Sequence, residues 1–236
     1  MPTVWAHLSD CGLVRSFFVR YAILRNNLKG TKSIMVKKII SGIMAGILIS
    51  VGGCVFLACD NRYIGSVLFT VALLSICLQG YALYTGKICY IPEAHDQEAI
   101  SVLLLGLLGN LVGTVVCGYA LRYAIPNIGE TAATICAAKL DQAVFQTLIR
   151  SCFCGILIYL AVDVFRKQGK IAEILFAIPV FILSGYEHSI ADMFYFAASG
   201  IVSMRAFGFI WTVILGNSLG GMLLPILAGI GKEKNT

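Results

Sequence analysis

Residues 181–196 read FILSGYEHSIADMFYF. They lie inside a run of mostly apolar residues from Ile171 to Ser199 and carry Glu187, His188 and Asp192 beside Ser184 and Gly185. A bilayer core takes about 20 helical residues, so this run is too long for one straight crossing. Ionisable side chains at that depth are costly and mark pathways or proton relays. The stretch therefore predicts a helix broken near Ser184–His188, its loosened backbone facing a protein cavity rather than lipid.

The rest of the chain fits around that break. Of 236 residues 58% are hydrophobic and 13% are charged, about half the charge of a soluble domain. This predicts an integral membrane protein. Apolar runs at 39–59, 63–91, 99–121, about 140–162, 171–199 and 207–230 give six spans. The second is also too long for one crossing and is interrupted at Gln79-Gly80. Pro126, Asn127 and Gly129 mark a loop from Leu121 to Ala138. The nine cysteines form no CxxC pair, and no Cys/His cluster occurs. The sequence thus supports neither a disulfide framework nor a metal site, and no cofactor is expected.

The net charge of +6 is a matter of topology rather than of nucleic-acid binding. With both termini inside, the cytoplasmic side receives Arg15, Arg20, Arg25, Lys29, Lys32, Lys37, Lys38, Lys87, Arg166, Lys167, Lys170, Lys232 and Lys234, against Arg62, Arg122 and Arg205 outside. That asymmetry predicts an even span count with both ends cytoplasmic. Three parts are expected: a basic amphipathic segment over 1–36, a six-span domain over 37–230 and a short tail over 231–236.

A repeat is visible in the spans. Gly109-Asn110-Leu111-Val112-Gly113 returns as Gly216-Asn217-Ser218-Leu219-Gly220, 107 residues later, and Lys37 and Lys139 are 102 apart. Thr85 stands against His188 in the two broken spans. Three spans per unit is odd, so the second unit is inserted upside down. The fold class is an all-α membrane bundle of two inverted three-helix repeats, with second and fifth helices broken at the midplane.

His188 is the single histidine within a span. It reads either as a buried neutral ring bonded to backbone or as a proton-exchanging group near pH 7. Lys139 reads either as a snorkelling span-end lysine or as a fixed charge that draws anions in. Asn110 and Asn217 read as structural ties for the broken helices. Phe181, Leu73 and Leu83 are ordinary apolar residues made interesting by their closeness to the breaks. Gly216–Gly220 matches G-x-S-x-G, but a nucleophile elbow needs a strand–turn–helix setting, so no enzyme is expected.

The stretch SGYEHSIADMF at 184–194 resembles the fifth-helix signature of the formate/nitrite transporter family. LQGYALYTGK at 78–87 is similar to the loop that breaks its second helix, and KKIISGIMAG at 37–46, GNLVG and GNSLGG to its first, third and sixth helices. The resemblance implies an aquaporin-like fold, a homopentamer with one pore per subunit, and passage of small monovalent anions such as formate, nitrite, lactate or hydrosulfide. It puts His188 and Thr85 mid-pore and Lys139 and Lys37 in the outer and inner vestibules. Phe181 and Leu73 would form the inner constriction, with Leu83 in the outer one. Ala82, Lys87, Gly155 and Asp192 depart from the family pattern, at an acidic residue and three asparagines respectively.

Together these readings predict a multi-pass channel or transporter in the plasma or inner membrane, carrying a small anion with a proton through a central histidine. An aquaporin-like pore for neutral solutes and a non-transporting scaffold subunit are the alternatives.

Overall fold

The computed structural model describes residues 31–94 and 96–233. The basic segment expected over 1–36 lies outside the described residues up to residue 30, as do residues 234–236 of the tail. The chain divides at Lys37/Lys38 into two units, and residues 31–37 of the first open the leading helix. Residues 38 onward form the second unit, which holds both helix breaks.

The regular structure of the described residues is all helical. The order is α1 (Thr31–Ala58), α2 (Arg62–Gln79), α3 (Tyr84–Lys87, running on through a 3₁₀ turn at Ile88–Tyr90 to Ile91–Ala94), α4 (Gln97–Ala124), α5 (Pro126–Leu140), α6 (Val144–Gln168), α7 (Ala172–Leu183), α8 (Ser189–Ser199) and α9 (Met204–Glu233). Helices α1, α2, α4, α6 and α9 are long and apolar enough to cross a bilayer. Helix α7, with 12 residues, is too short alone, and α8 follows it across the break. Five of the six spans expected from hydropathy thus have a helix able to cross, and the runs at 63–91 and 171–199 are each divided as expected.

The expected loop over 121–138 is instead a helix. Pro126 begins α5 at a position where its missing N–H is not needed and its fixed φ suits the first turn. A residue read as a breaker is a starter here. As a consequence Lys139 does not end the fourth span; it sits in the last turn of α5, and α6 begins at Val144.

Both breaks are built alike. Helix α2 ends at Gly80 with φ +69°, and Gly185 closes α7 with φ +70°; this left-handed geometry favours glycine. The Tyr81 N–H bonds the Ile76 carbonyl at 3.1 Å, and the Tyr186 N–H bonds the Phe181 carbonyl at 3.0 Å. These are the same helix-ending bonds 105 residues apart. A short non-helical link comes next in each case, and the following helix starts after Leu83 in one half and His188 in the other.

An asparagine stitches each link to its neighbours. Asn110 Oδ1 accepts from the Tyr84 N–H at 2.9 Å, and its Nδ2 donates to the Gly42 and Ala82 carbonyls at 2.8 and 2.9 Å. Asn217 Oδ1 accepts from the Ser189 N–H at 2.9 Å, and its Nδ2 donates to the Ser151 and Glu187 carbonyls at 2.9 and 2.8 Å. Backbone freed by a broken helix must find partners away from water, and these two fully buried amides supply them. Each also demands a close helix beside it. A Cβ on Gly46 would lie 2.5 Å from the Asn110 carbonyl oxygen, and one on Gly155 would strike the Asn217 carbonyl and approach the Gly221 nitrogen to 2.7 Å. The glycine at 155 is thus what lets α6 lie against α9.

The equivalences place Leu83 opposite His188 and Ala82 opposite Glu187. The expected match of Thr85 to His188 is two residues out of register. Each half carries three apolar helical segments, α1, α2 and α4 in the first and α6, the divided α7–α8 and α9 in the second, an odd number consistent with an inverted repeat.

Candidate functional site

The two breaks meet. Thr85, in the first turn of α3, places its Oγ1 2.9 Å from Nε2 of His188, and both residues are buried. His188 is itself the N-cap of α8: its Nδ1 accepts the Ala191 N–H at 3.2 Å. A ring nitrogen that accepts carries no proton, so the proton of the neutral ring lies on Nε2 and is donated to Thr85. The Thr85 hydroxyl hydrogen is then free to serve another acceptor. The ring stacks on Phe181 at a centroid distance of 5.8 Å, and Phe181 in turn meets Phe69 edge-on at 6.3 Å.

Two cavities flank this pair. One, of about 600 Å³, is lined by Phe181, His188, Lys139, Glu187, Asp192 and Arg150 among others. The other, of about 480 Å³, is lined by Leu73, Leu83, Gly86, Lys87, Tyr90 and Arg166 among others. Leu73 and Leu83 thus share one cavity, while Phe181 lines the opposite one and has Phe69 as its partner. Sequence reasoning groups Phe181 with Leu73 and misses Phe69. Leu73 and Phe69 lie four residues apart on one helix face, and that spacing is the available signal.

Lys139 faces a cluster rather than open solvent. Its ammonium contacts Glu187 and lies 2.9 Å from Asp192 Oδ1, with the lysine side chain 13% exposed and the carboxylates almost wholly buried. Gln142 donates to Glu187 Oε1 at 2.8 Å and accepts from the Thr147 hydroxyl at 3.2 Å. Asp192 Oδ2 is buried and has no hydrogen-bond partner among the described residues. Two carboxylates on one ammonium give the cluster a formal charge of −1 when all three are ionised. Lys37 is exposed on α1, and Lys38, the next residue, pairs with Glu98 at 3.6 Å.

The serine of the G-x-S-x-G match is committed to packing. Ser218 Oγ donates to the Ile214 carbonyl at 2.6 Å and shares a 2.8 Å bond with the Tyr84 hydroxyl. Among the described residues no cluster of three or more His, Cys, Asp or Glu could hold a metal ion.

The formate/nitrite transporter family model matches residues 21–230. Formate-nitrite transporter 2 of Toxoplasma gondii is 28% identical over 86% of this chain and 52% of its own length; the chain spans about half of that relative. The nitrite transporter NirC of Escherichia coli is 27% identical over 81% of both chains. Among solved structures, a pentameric formate channel with formate bound superposes with a TM-score of 0.70 at 19% identity, covering 86% of this chain and 98% of that one. An FNT family ion channel gives 0.69 at 24% identity, covering 86% and 89%. The fold is that of these channels, with several helices able to cross a membrane. On the family match over 21–230, this multi-pass membrane protein belongs to the formate/nitrite transporter family.

Proposed function

We infer that the protein conducts small monovalent anions of the formate, nitrite or hydrosulfide class, coupled to a proton at His188. The observation that carries this reading is the buried Thr85–His188 hydrogen bond at the meeting of two broken helices, with a cavity on either side. A bare anion entering an apolar constriction loses its hydration at a cost of many kcal/mol. The Phe69–Phe181 pair on one side and Leu73–Leu83 on the other are such constrictions. Donors from Nε2–H and the Thr85 hydroxyl meet the permeant between them. A proton from water neutralises it beside the Nε2–H and Thr85 donors, so that a weak acid rather than an ion passes the apolar rings.

The match to a pentameric formate channel supports a homopentamer with one pathway per subunit. The excess of Lys and Arg on the Lys87–Arg166 side supports a cytoplasmic facing for that cavity, with both termini inside and the plasma or inner membrane as location. Lys37 then lies on the cytoplasmic side. The self-paired Lys139–Glu187–Asp192 cluster favours one other reading, a scaffold whose buried charges only satisfy each other. Anion uptake into proteoliposomes decides between them. Flux that rises as external pH falls is expected, and purified, assembled protein that carries no anion sinks the conduction reading.

A further inference from the structure

The cavity on the Leu73–Leu83 side contains a cation without a counter-ion among the described residues. Lys87 is half-buried and makes no ion pair or hydrogen bond with any described side chain. Arg166 lines the same cavity and lies over the Tyr90 ring, its guanidinium carbon 4.2 Å from the centroid, an arrangement that fixes its direction. The Tyr90 hydroxyl is buried and has no partner among the described residues. Asp163, on the same helix, holds Lys167 through Oδ2 at 2.8 Å, keeps Oδ1 buried without a hydrogen-bond partner among the described residues, and does not line the cavity. Lys87 half-buried and Arg166 exposed are two like charges lining one cavity, and they repel. A third, negative partner relieves that repulsion.

We propose that Lys87, Arg166 and the Tyr90 hydroxyl form an anion-binding site of this chain's own, holding a monovalent carboxylate or oxyanion at the mouth of the Leu73–Leu83 constriction. Lys87 supplies a compact charge, Arg166 a fork of parallel donors and Tyr90 a single O–H; charge-assisted bonds of this kind are the strong ones. The volume of about 480 Å³ leaves room for a hydrated anion. The site deepens the conduction reading, on which its placement in a pathway rests: an acid emerging past the leucines gives its proton to water, and its conjugate base is held. The cavity on the Lys139 side sets Arg62, Lys139 and Arg150 against Asp141, Glu187 and Asp192, whereas this one is lined by two cations and no carboxylate. The two ends of the passage therefore differ in charge.

The test is formate binding to the detergent-solubilised full chain, read by saturation transfer to the formate C–H proton and run beside flux. Wild-type protein is expected to give a saturable signal. Lys87→Gln raises the half-saturating concentration about tenfold, as loss of one charge-assisted bond implies, and Lys87→Arg restores it. Tyr90→Phe, which keeps the ring under Arg166, raises it about threefold and serves should Lys87→Gln fail to assemble. Binding that is unchanged in both Lys87→Gln and Tyr90→Phe, or no saturable binding by wild-type protein that conducts, overturns the site. Lys87-dependent binding without any flux leaves the site standing and removes the conduction reading instead.

Discussion

Lys139 and Asp192 lie 2.9 Å apart on an ammonium that Glu187 already contacts. When all three groups are ionised, the second carboxylate turns a charge suited to attracting anions into a cluster of formal charge −1. Asp192→Asn keeps the shape and an oxygen for Lys139 while removing that excess. It is expected to lower the half-saturating anion concentration, measured from the Lys139 side, by about threefold to tenfold, given a screened unit charge several ångströms from the path. An unchanged value means the cluster does not face the permeant.

Removing the lysine does something different. Lys139→Ala leaves two buried carboxylates without their cation, and breaking a buried pair in this way costs about 3–5 kcal/mol. A lowered melting temperature in detergent is expected beside any loss of flux. The double change Lys139→Met with Glu187→Gln is expected to recover part of that stability. Equal melting for wild type and Lys139→Ala contradicts the buried cluster.

The two asparagines give a symmetric expectation. Asn110→Ala strands the Tyr84 N–H and the Ala82 carbonyl, and Asn217→Ala strands the Ser189 N–H and the Glu187 carbonyl, while the Gly42 and Ser151 carbonyls keep their places inside α1 and α6. Each unsatisfied buried group costs about 1–3 kcal/mol. Both variants are expected to lose comparable stability, read as the melting temperature or as the yield of assembled oligomer. A large effect in one half and none in the other contradicts the repeated design.

Much of this architecture is legible in the residues. The length of the 171–199 run and the Glu187, His188 and Asp192 group in its middle mark the fifth-helix break, and the odd span count implies inversion. The register between the halves is harder, because chemical likeness draws Thr85 against His188. In fact the pair meets across the passage from non-equivalent positions. The glycines at positive φ, Gly80 and Gly185, give the offset of 105. Pro126 misleads for a related reason: proline breaks a helix interior but suits its first turn, and only context tells the two apart. That misplaces Lys139 onto the following span. The pairing of Phe181 with Phe69 depends on how α2 packs against α7, and the shared cavity of Leu73 and Leu83 on how the link after Gly80 folds back beside α2; no local pattern encodes either.

Packing at Gly155 offers a stability test away from the passage. Gly155→Ala drives a methyl group into the Asn217 carbonyl and the Gly221 backbone, neither of which is a side chain that can swing aside. Overpacking of this sort costs about 1–3 kcal/mol or more. Reduced assembly is expected, while Gly208→Ala, where a Cβ meets nothing within 4 Å, is expected to be neutral. Normal assembly of Gly155→Ala means that α6 and α9 lie farther apart.

The central claim is that His188 serves the permeant through Nε2 while its Nδ1 caps α8. His188→Asn separates these roles, since asparagine caps a helix as well as any residue but presents no imidazole to Thr85. The decisive measurement is formate or nitrite uptake into proteoliposomes across a range of external pH, for wild type and for His188→Asn shown to be assembled. Wild-type uptake rising as the outside is acidified, and an assembled variant that has lost both the flux and its pH dependence, is the result this account requires. An assembled His188→Asn protein with wild-type flux and the same pH profile contradicts it.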